Sequence, residues 1–419
     1  MEENMAETVN LGMIGLGARA ETLLATLYDL RQKNIEVTAI CDIDPARIQR
    51  INEIFTARKL PLPAAYTDYR ELIKSDNVDA VLIPTSWNSH LKIAEEAMAQ
   101  GKYAGIEVGG ASSVDELWHL IHAAESTGVS CMMLENACYG RNELMALNLV
   151  RKGLFGELIH CTCGYEHDLS EMARMDNRRE REMHNYKRCG DLYPTHGIGP
   201  IAKILRINRG NRFVSLTSTA SKGRGFALEA ERCGRGAVHY NQGDIVTTVI
   251  KCANGETITM THGVSLPRPY SRDCRVQGTL GIWLEDTKGI YIEGISPKYE
   301  KLDVAGNPYT VHEWTPISEL YEKYDHPLWK KYRDHIVGGH GGVDALVLEA
   351  FCDAVRTRTS PPIDVYDCAA WMCLTCLSEQ SIACGSMPIP IPDFTNGKWI
   401  YEGVTAEGKW SLDEVYDIQ

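Results

Sequence analysis

The stretch VNLGMIGLGARAETLLATLYDL, residues 9–30, decides how the N-terminal third of the chain is read. Thr8 to Ile14 is a short apolar run of strand type, Gly15-Leu16-Gly17-Ala18-Arg19-Ala20 is a glycine-rich turn, and a helical pattern follows through Leu30. In such a strand-turn-helix unit, Gly15 and Gly17 permit a tight turn and close backbone approach to a pyrophosphate. The free N–H groups at the helix start then bind it. The third glycine position is Ala20, a replacement that the pattern accommodates. A second run, Ile35 to Cys41, ends in Asp42, where a carboxylate accepts from ribose hydroxyls and repels the extra phosphate of NADP. NAD is therefore the expected cofactor. The competing role for Asp42 or Asp44 is to cap the helix that begins at Pro45.

Strand and helix patterns keep alternating, with Asp79 to Pro84, Ser89 to Gln100, Tyr103 to Val108, Val114 to Thr127 and Ser130 to Leu134. Consecutive strands separated by helices predict a parallel, doubly wound sheet of Rossmann type over residues 1–138. Beyond a helix near Glu143 to Lys152 the pattern changes to longer strand runs: Leu158 to Tyr165, Phe213 to Ser221, Ile245 to Cys252, Thr257 to Ser265 and Arg272 to Thr279. These predict an α+β second domain, residues 139–385, built on one open, largely antiparallel sheet. Its last helices are Asp344 to Arg358 and Val365 to Cys384, and a Pro-rich, Trp-containing tail over 386–419 packs on the body. An open sheet leaves one face free, which favours pairing with a second copy of the chain.

Composition narrows the class. The 419 residues exceed what a single core usually supports, and 44% hydrophobic with 24% charged residues is the balance of a folded globular protein. A net charge of -13 argues against a nucleic-acid surface, and a small molecule is the expected partner. Met1 to Asn10 carries Glu2, Glu3 and Glu7 and no apolar run, and the fourteen cysteines show no framework spacing. Both fit a cytoplasmic protein with reduced thiols and no membrane segment. Cys373 and Cys376 are spaced as CxxC inside a helical pattern with no second pair, so helix packing is expected there. His119 and His122 lack the glutamate and spacing of a zinc protease motif. No metal is expected.

The layout resembles the Gfo/Idh/MocA superfamily, in the segment DAVLIPTSWNSH, the helix end at Gly101-Lys102 and the strand end at Glu107. Sugar dehydrogenases of that superfamily mostly carry Glu-Lys-Pro at this strand end, with the lysine as catalytic acid or base. Here the residues are Glu107-Val108-Gly109, and valine moves no proton. The segments LENACYGRNE, GYEHDL, Arg181 to Asn185, GDLYPTHGIGP, INRG and GGHGGVD resemble glycoside hydrolase family 109, whose characterised members are NAD-dependent α-N-acetylgalactosaminidases.

That resemblance implies NAD contacts at Arg19, Asp42, the turn carrying Trp87, Asn88 and His90, the strand end at Glu107 and Val108, and Asn136. It implies a substrate side formed by Tyr165, Arg181, Tyr193, Thr195, His196 and Tyr270, with Glu135 close by. A nicotinamide, a histidine and tyrosines suit hydride transfer and proton abstraction beside a carbonyl. The expected route is oxidation at sugar C3, loss of the C2 proton, expulsion of the C1 group, water addition and return of the hydride. His196 would handle the C3 hydroxyl proton or assist the C1 group. Tyr165 would be the base at C2, and Glu135 and Tyr193 complete the catalytic set. A phenol is a weak base at pH 7, so Tyr165 needs a nearby cation, Arg181 being one candidate. The Tyr-Pro-Thr-His run could instead cap a helix from Gly199 to Leu205. His340 could sit on a lid near the sugar or in a tight turn feeding the helix at Asp344. The competing functions are a sugar 3-dehydrogenase that releases NADH and a non-enzymatic NAD- or sugar-binding regulator.

Overall fold

The computed structural model describes residues 7–174, 180–401, 403 and 405–418. The first part alternates strictly: β1 (Val9–Ile14), α1 (Ala18–Leu30), β2 (Ile35–Cys41), α2 (Pro45–Ala57), β3 (Ala64–Tyr66), α3 (Tyr69–Leu72), β4 (Ala80–Ile83), α4 (His90–Ala99), β5 (Tyr103–Ile106), α5 (Val114–Thr127) and β6 (Cys131–Met133). All pairs are parallel, in the order β3-β2-β1-β4-β5-β6. Central strands of such a sheet are covered on both faces, which is why β4 and β5 read as unbroken apolar runs and are buried at every position. Strand order reverses between β1 and β4, and the crevice beyond their carboxyl ends is where a doubly wound sheet binds ligands.

The second part follows α6 (Arg141–Arg151) with β7 (Leu158–Glu166), α7 (Glu180–Lys187), α8 (Thr195–Ile204), β8 (Phe213–Ala220), α9 (Gly225–Arg232), β9 (Val246–Cys252), β10 (Thr257–Gly263), β11 (Arg275–Gly278), β12 (Gly281–Leu284) and β13 (Gly289–Ile292). A hairpin, β14 (Lys298–Leu302) with β15 (Pro308–His312), precedes β16 (Thr315–Pro316), α10 (Tyr321–Tyr324), α11 (Pro327–Tyr332), α12 (Val343–Thr357), α13 (Val365–Ala383) and β17 (Ile389–Pro390). The nine-stranded sheet runs β16-β13-β12-β11-β7-β10-β9-β8-β17, antiparallel except that β7 and β10 are parallel. The predicted long strands β7 to β10 are therefore present, while the run Arg272 to Thr279 forms only the four-residue β11. The four-residue β12 and β13 and the two-residue β16 and β17 are too short to show a periodicity of their own.

One face of this sheet is covered by α8 on β7 and α13 on β8, while the other is open. Along β10 the residues alternate accordingly: Ile258, Met260 and His262 are buried, and Thr257, Thr259 and Thr261 are half-exposed. Tyr165 of β7 lies in register with His262, so both side chains point to the covered face. The C-terminal helices belong to both halves, because α12 packs on α1 and β1 while α13 packs on α5 and β6 as well as β8. The tail is tied down by β17 on β8 and by the Trp410 indole donating to Asp353 at 2.7 Å. Cys373 and Cys376 lie on α13 with their thiols donating to the carbonyls of Ala370 and Cys373. His119 and His122 lie on α5.

Candidate active site

The glycine turn builds the first wall of the crevice. Gly15 has φ +92°, which a side chain rarely adopts, and at Gly17 a Cβ would meet nothing within 4 Å, leaving open space above the start of α1. No side chain caps α1, so its first N–H groups face that space. Asp44, not Asp42, caps α2, accepting from the Ala46 N–H at 2.9 Å. Asp42 is buried and accepts from the Leu16 N–H at 2.7 Å, which ties the second strand end to the glycine turn. The turn and the uncapped helix offer N–H donors for a pyrophosphate and the carboxylate an acceptor for ribose hydroxyls, and the set fits a dinucleotide.

Arg19 leaves the first turn of α1 and meets Glu107 at 2.7 Å, beyond the end of β5. The same guanidinium donates two bonds to Asp344, at 2.9 and 3.0 Å. Asn136 donates to Asp344 at 2.7 Å, so three of the expected cofactor contacts converge on one network. Burial opposes the charge on Asp344, but His340 and Arg19 more than offset it and hold this carboxyl well below the usual range. Ala20 and His90 are fully buried, Val108 is nearly so, and Asn88 is exposed.

The departure from Glu-Lys-Pro has a tertiary counterpart. At Gly109 a Cβ would stand 2.5 Å from the Trp87 indole nitrogen, so this indole occupies space that a larger residue there would fill. Trp87 then starts an aromatic pile. Its ring lies 4.9 Å from His184 and 5.7 Å from Tyr193, and Tyr193 lies 4.4 Å from Tyr165. Arg181 rests over this pile, 4.4 Å above the Tyr193 ring and 5.4 Å from Trp87. Burial alone would weaken the Arg181 charge. The Tyr193 and Tyr165 phenols more than compensate and raise its pKa. Tyr270 closes the outer side, half-exposed, with its ring edge-on to Tyr165 at 6.1 Å. Burial pushes the Tyr193 and Tyr270 phenols up, so both remain protonated hydrogen-bond donors at neutral pH.

Helix α8 begins at Thr195, four residues before the predicted start at Gly199, which places Thr195 and His196 in its first turn and not in a preceding loop. Thr195 is fully buried. His196 faces the pile, 4.9 Å from Tyr193 and 5.7 Å from Tyr165. Its Nδ1 lies 2.7 Å from the Glu135 carboxylate, which has no solvent exposure. Burial would raise the Glu135 carboxyl, yet the imidazole and the Ala137 N–H at 3.0 Å hold it below the ordinary range. A carboxylate fixed on Nδ1 orients the ring and leaves Nε2 for the substrate side.

Glu135, Tyr165, Arg181, Tyr193, His196 and Tyr270 thus form one cluster, and Arg19, Glu107 and Asn136 form a second beside the glycine turn. Five further residues belong to these surroundings. His167 lies 3.4 Å from the Tyr165 hydroxyl, His184 lies against Trp87, and Asp344 accepts from Arg19 and Asn136. Asp191 and His262 are buried behind Tyr165, 3.9 Å apart, and the His262 ring has no hydrogen-bond partner among the described residues. Four of the five sit inside the quoted motifs, and only their neighbours in space mark them. His262 lies on a strand with no such signal.

Residues 139–401 match the glycosyl hydrolase 109 C-terminal domain, and residues 9–135 match the oxidoreductase family with an NAD-binding Rossmann fold. The chain belongs to glycosyl hydrolase family 109. It is 38% identical to an alpha-N-acetylgalactosaminidase of Tannerella forsythia, over 94% of this chain and 87% of that one. It is 40% identical to another protein of that name from Shewanella oneidensis, over 94% and 86%. Among solved structures it resembles a levoglucosan dehydrogenase in complex with NADH and levoglucosan, with TM-score 0.66 and 17% identity over 92% of this chain and 100% of that one. An NAD binding oxidoreductase of Klebsiella pneumoniae is similar as well, with TM-score 0.68 and 16% identity over 92% and 99%. Those two likenesses concern the fold. Among the described residues no helix is long and apolar enough to cross a membrane.

Proposed function

We propose that this member of the family is an NAD-dependent glycosidase acting on α-N-acetylgalactosaminides. The observation that carries the reading is the Glu135–His196 pair set against Tyr165 and Arg181, beside a strand end whose Val108 and Gly109 can transfer no proton. Names of relatives alike over almost the whole chain support it. NAD is favoured over NADP because Asp42 closes the second strand.

A nicotinamide dinucleotide held by Arg19, Asp42 and Asn136 would supply a reversible hydride acceptor for sugar C3. His196, oriented by Glu135, takes the C3 hydroxyl proton at Nε2 and returns it later. Tyr165 takes the proton from C2, which the C3 ketone acidifies, and the Arg181 guanidinium lies beside it over the Tyr193 ring. Loss of that proton expels the C1 group as its oxyanion, which is protonated from solvent. Water then adds at C1 and releases the balancing proton, and Tyr165, its phenol proton exchanged with solvent, protonates C2. Tyr193 and Tyr270 donate hydrogen bonds to the sugar.

Hydrolysis of a nitrophenyl α-N-acetylgalactosaminide in deuterated water is expected to place deuterium at C2 of the product, as read by NMR. A fully protonated C2 would favour direct displacement instead. The dehydrogenase folds of the structural relatives make net oxidation the rival reading. With excess NAD, steady growth of absorbance at 340 nm would decide for that rival. The uncovered face of the nine-stranded sheet, with Thr247 and Val249 on β9, is proposed to pair with a second copy. Light scattering that returns the 46.7 kDa monomer would sink this. A cytoplasmic site of action fits the fourteen free thiols and is checked by cell fractionation.

A further inference from the structure

We infer that Asp344 is a positioning residue of the dinucleotide site, held in place by His340; this rests on the reading that the crevice binds NAD. Asp344 lies in the first turn of α12, where a carboxylate ordinarily serves its own helix. Here Gly342 occupies the cap position and no side chain caps the helix. Asp344 instead turns both oxygens toward the first sheet. Oδ1 accepts from Arg19 Nη2 at 3.0 Å and Asn136 Nδ2 at 2.7 Å, and Oδ2 accepts from Arg19 Nη1 at 2.9 Å.

The fourth partner comes from the glycine-rich loop before α12. His340 stands at φ +52°, so the loop folds back and brings Nδ1 within 2.8 Å of Asp344 Oδ2. The loop rests on α1, with the Gly339 N–H donating to Thr26 Oγ1 at 3.4 Å. His340 therefore sits in a tight turn against the cofactor domain, and among the described residues it makes no hydrogen bond to the sugar side. The side chain of Asp344 has no exposure, whereas that of Arg19 remains 26% exposed. The arrangement is a buried anchor that fixes an arginine facing an open crevice. Arg19 carries a second carboxylate, Glu107, on its Nε, so both edges of its guanidinium are fixed and its direction is set before any ligand arrives. A dinucleotide then meets a rigid Arg19 and Asn136 and loses less entropy in ordering them.

The test compares wild type, Asp344→Asn and His340→Ala by calorimetric titration of the NAD-free proteins with NAD and by their melting temperatures without NAD. Asp344→Asn is expected to weaken NAD binding about tenfold or more and His340→Ala about threefold, with the melting temperature of His340→Ala unchanged. A merely structural role would lower the NAD-free melting temperature and leave the affinity of the folded protein alone. NAD affinity within twofold of wild type in both variants overturns the inference, and if Asp344→Asn does not fold, His340→Ala alone decides. Wild-type protein that binds no NAD would sink the cofactor reading itself, which is a separate outcome.

Discussion

His196→Ala is expected to lower kcat on an α-N-acetylgalactosaminide by roughly 10²–10⁴-fold while NAD binding stays as in wild type. The size follows from what the imidazole does: it moves the C3 hydroxyl proton in both the first and the last step of the turn. The retained NAD binding follows from position, since His196 lies on α8 among Tyr165 and Tyr193 and makes no bond to the Arg19 network. Glu135→Gln tests the same assembly from behind. An amide of equal size keeps the packing but no longer provides the negative charge that fixes the imidazole, so kcat falls and the profile of rate against pH shifts. Turnover within threefold of wild type in His196→Ala would end the proton-transfer assignment. Loss of NAD binding in the same variant would show that the two clusters are not separable.

Asp191→Asn is expected to stabilise the protein at pH 8, by up to about 4 kcal/mol. Asp191 is buried, and burial pushes its carboxyl from 3.8 up to about 7, opposed only by the backbone N–H of Tyr193. The folded state thus binds this proton more tightly than the unfolded chain does. The group's contribution is intact below about pH 4 and is lost as pH rises through about 7. His262, the neighbour at 3.9 Å, is no ready counter-charge, because burial and then Arg181 push it down to about 3. Asparagine keeps the shape and never ionises. Urea unfolding at a series of pH values should therefore show a gap between variant and wild type that grows from pH 4 to pH 8. A gap independent of pH would mean that Asp191 is already paired in solution. Retaining this costly carboxyl behind Tyr165 suits a site where proton positions matter, and the same variant assayed for turnover measures that cost against any benefit.

Much of the fold was legible from residues 9–134 alone, because strand, glycine turn and helix follow one another with nothing between them. A parallel sheet covered on both faces leaves apolar runs, and those survive in one dimension. The second sheet was legible in β7 to β10 and in the position of β11, and not in β12, β13, β16 and β17, which are only two to four residues long. The parallel pairing of β7 with β10 has no local signature either, yet it sets Tyr165 beside His262.

The sequence by itself determined the cofactor-binding unit, the family, and the residue types that meet at the site, since glycine spacing, a strand-end carboxylate and an extended motif are properties of the chain taken in order. Only the tertiary structure decided that α8 starts at Thr195, that Asp344 reaches back 325 residues to Arg19, and that Trp87 stands against Gly109. The reason is that hydrogen bonds and close packing act over a few ångströms in space, while their partners here come from α1, α8 and α12, elements whose separation along the chain carries no trace of the contact.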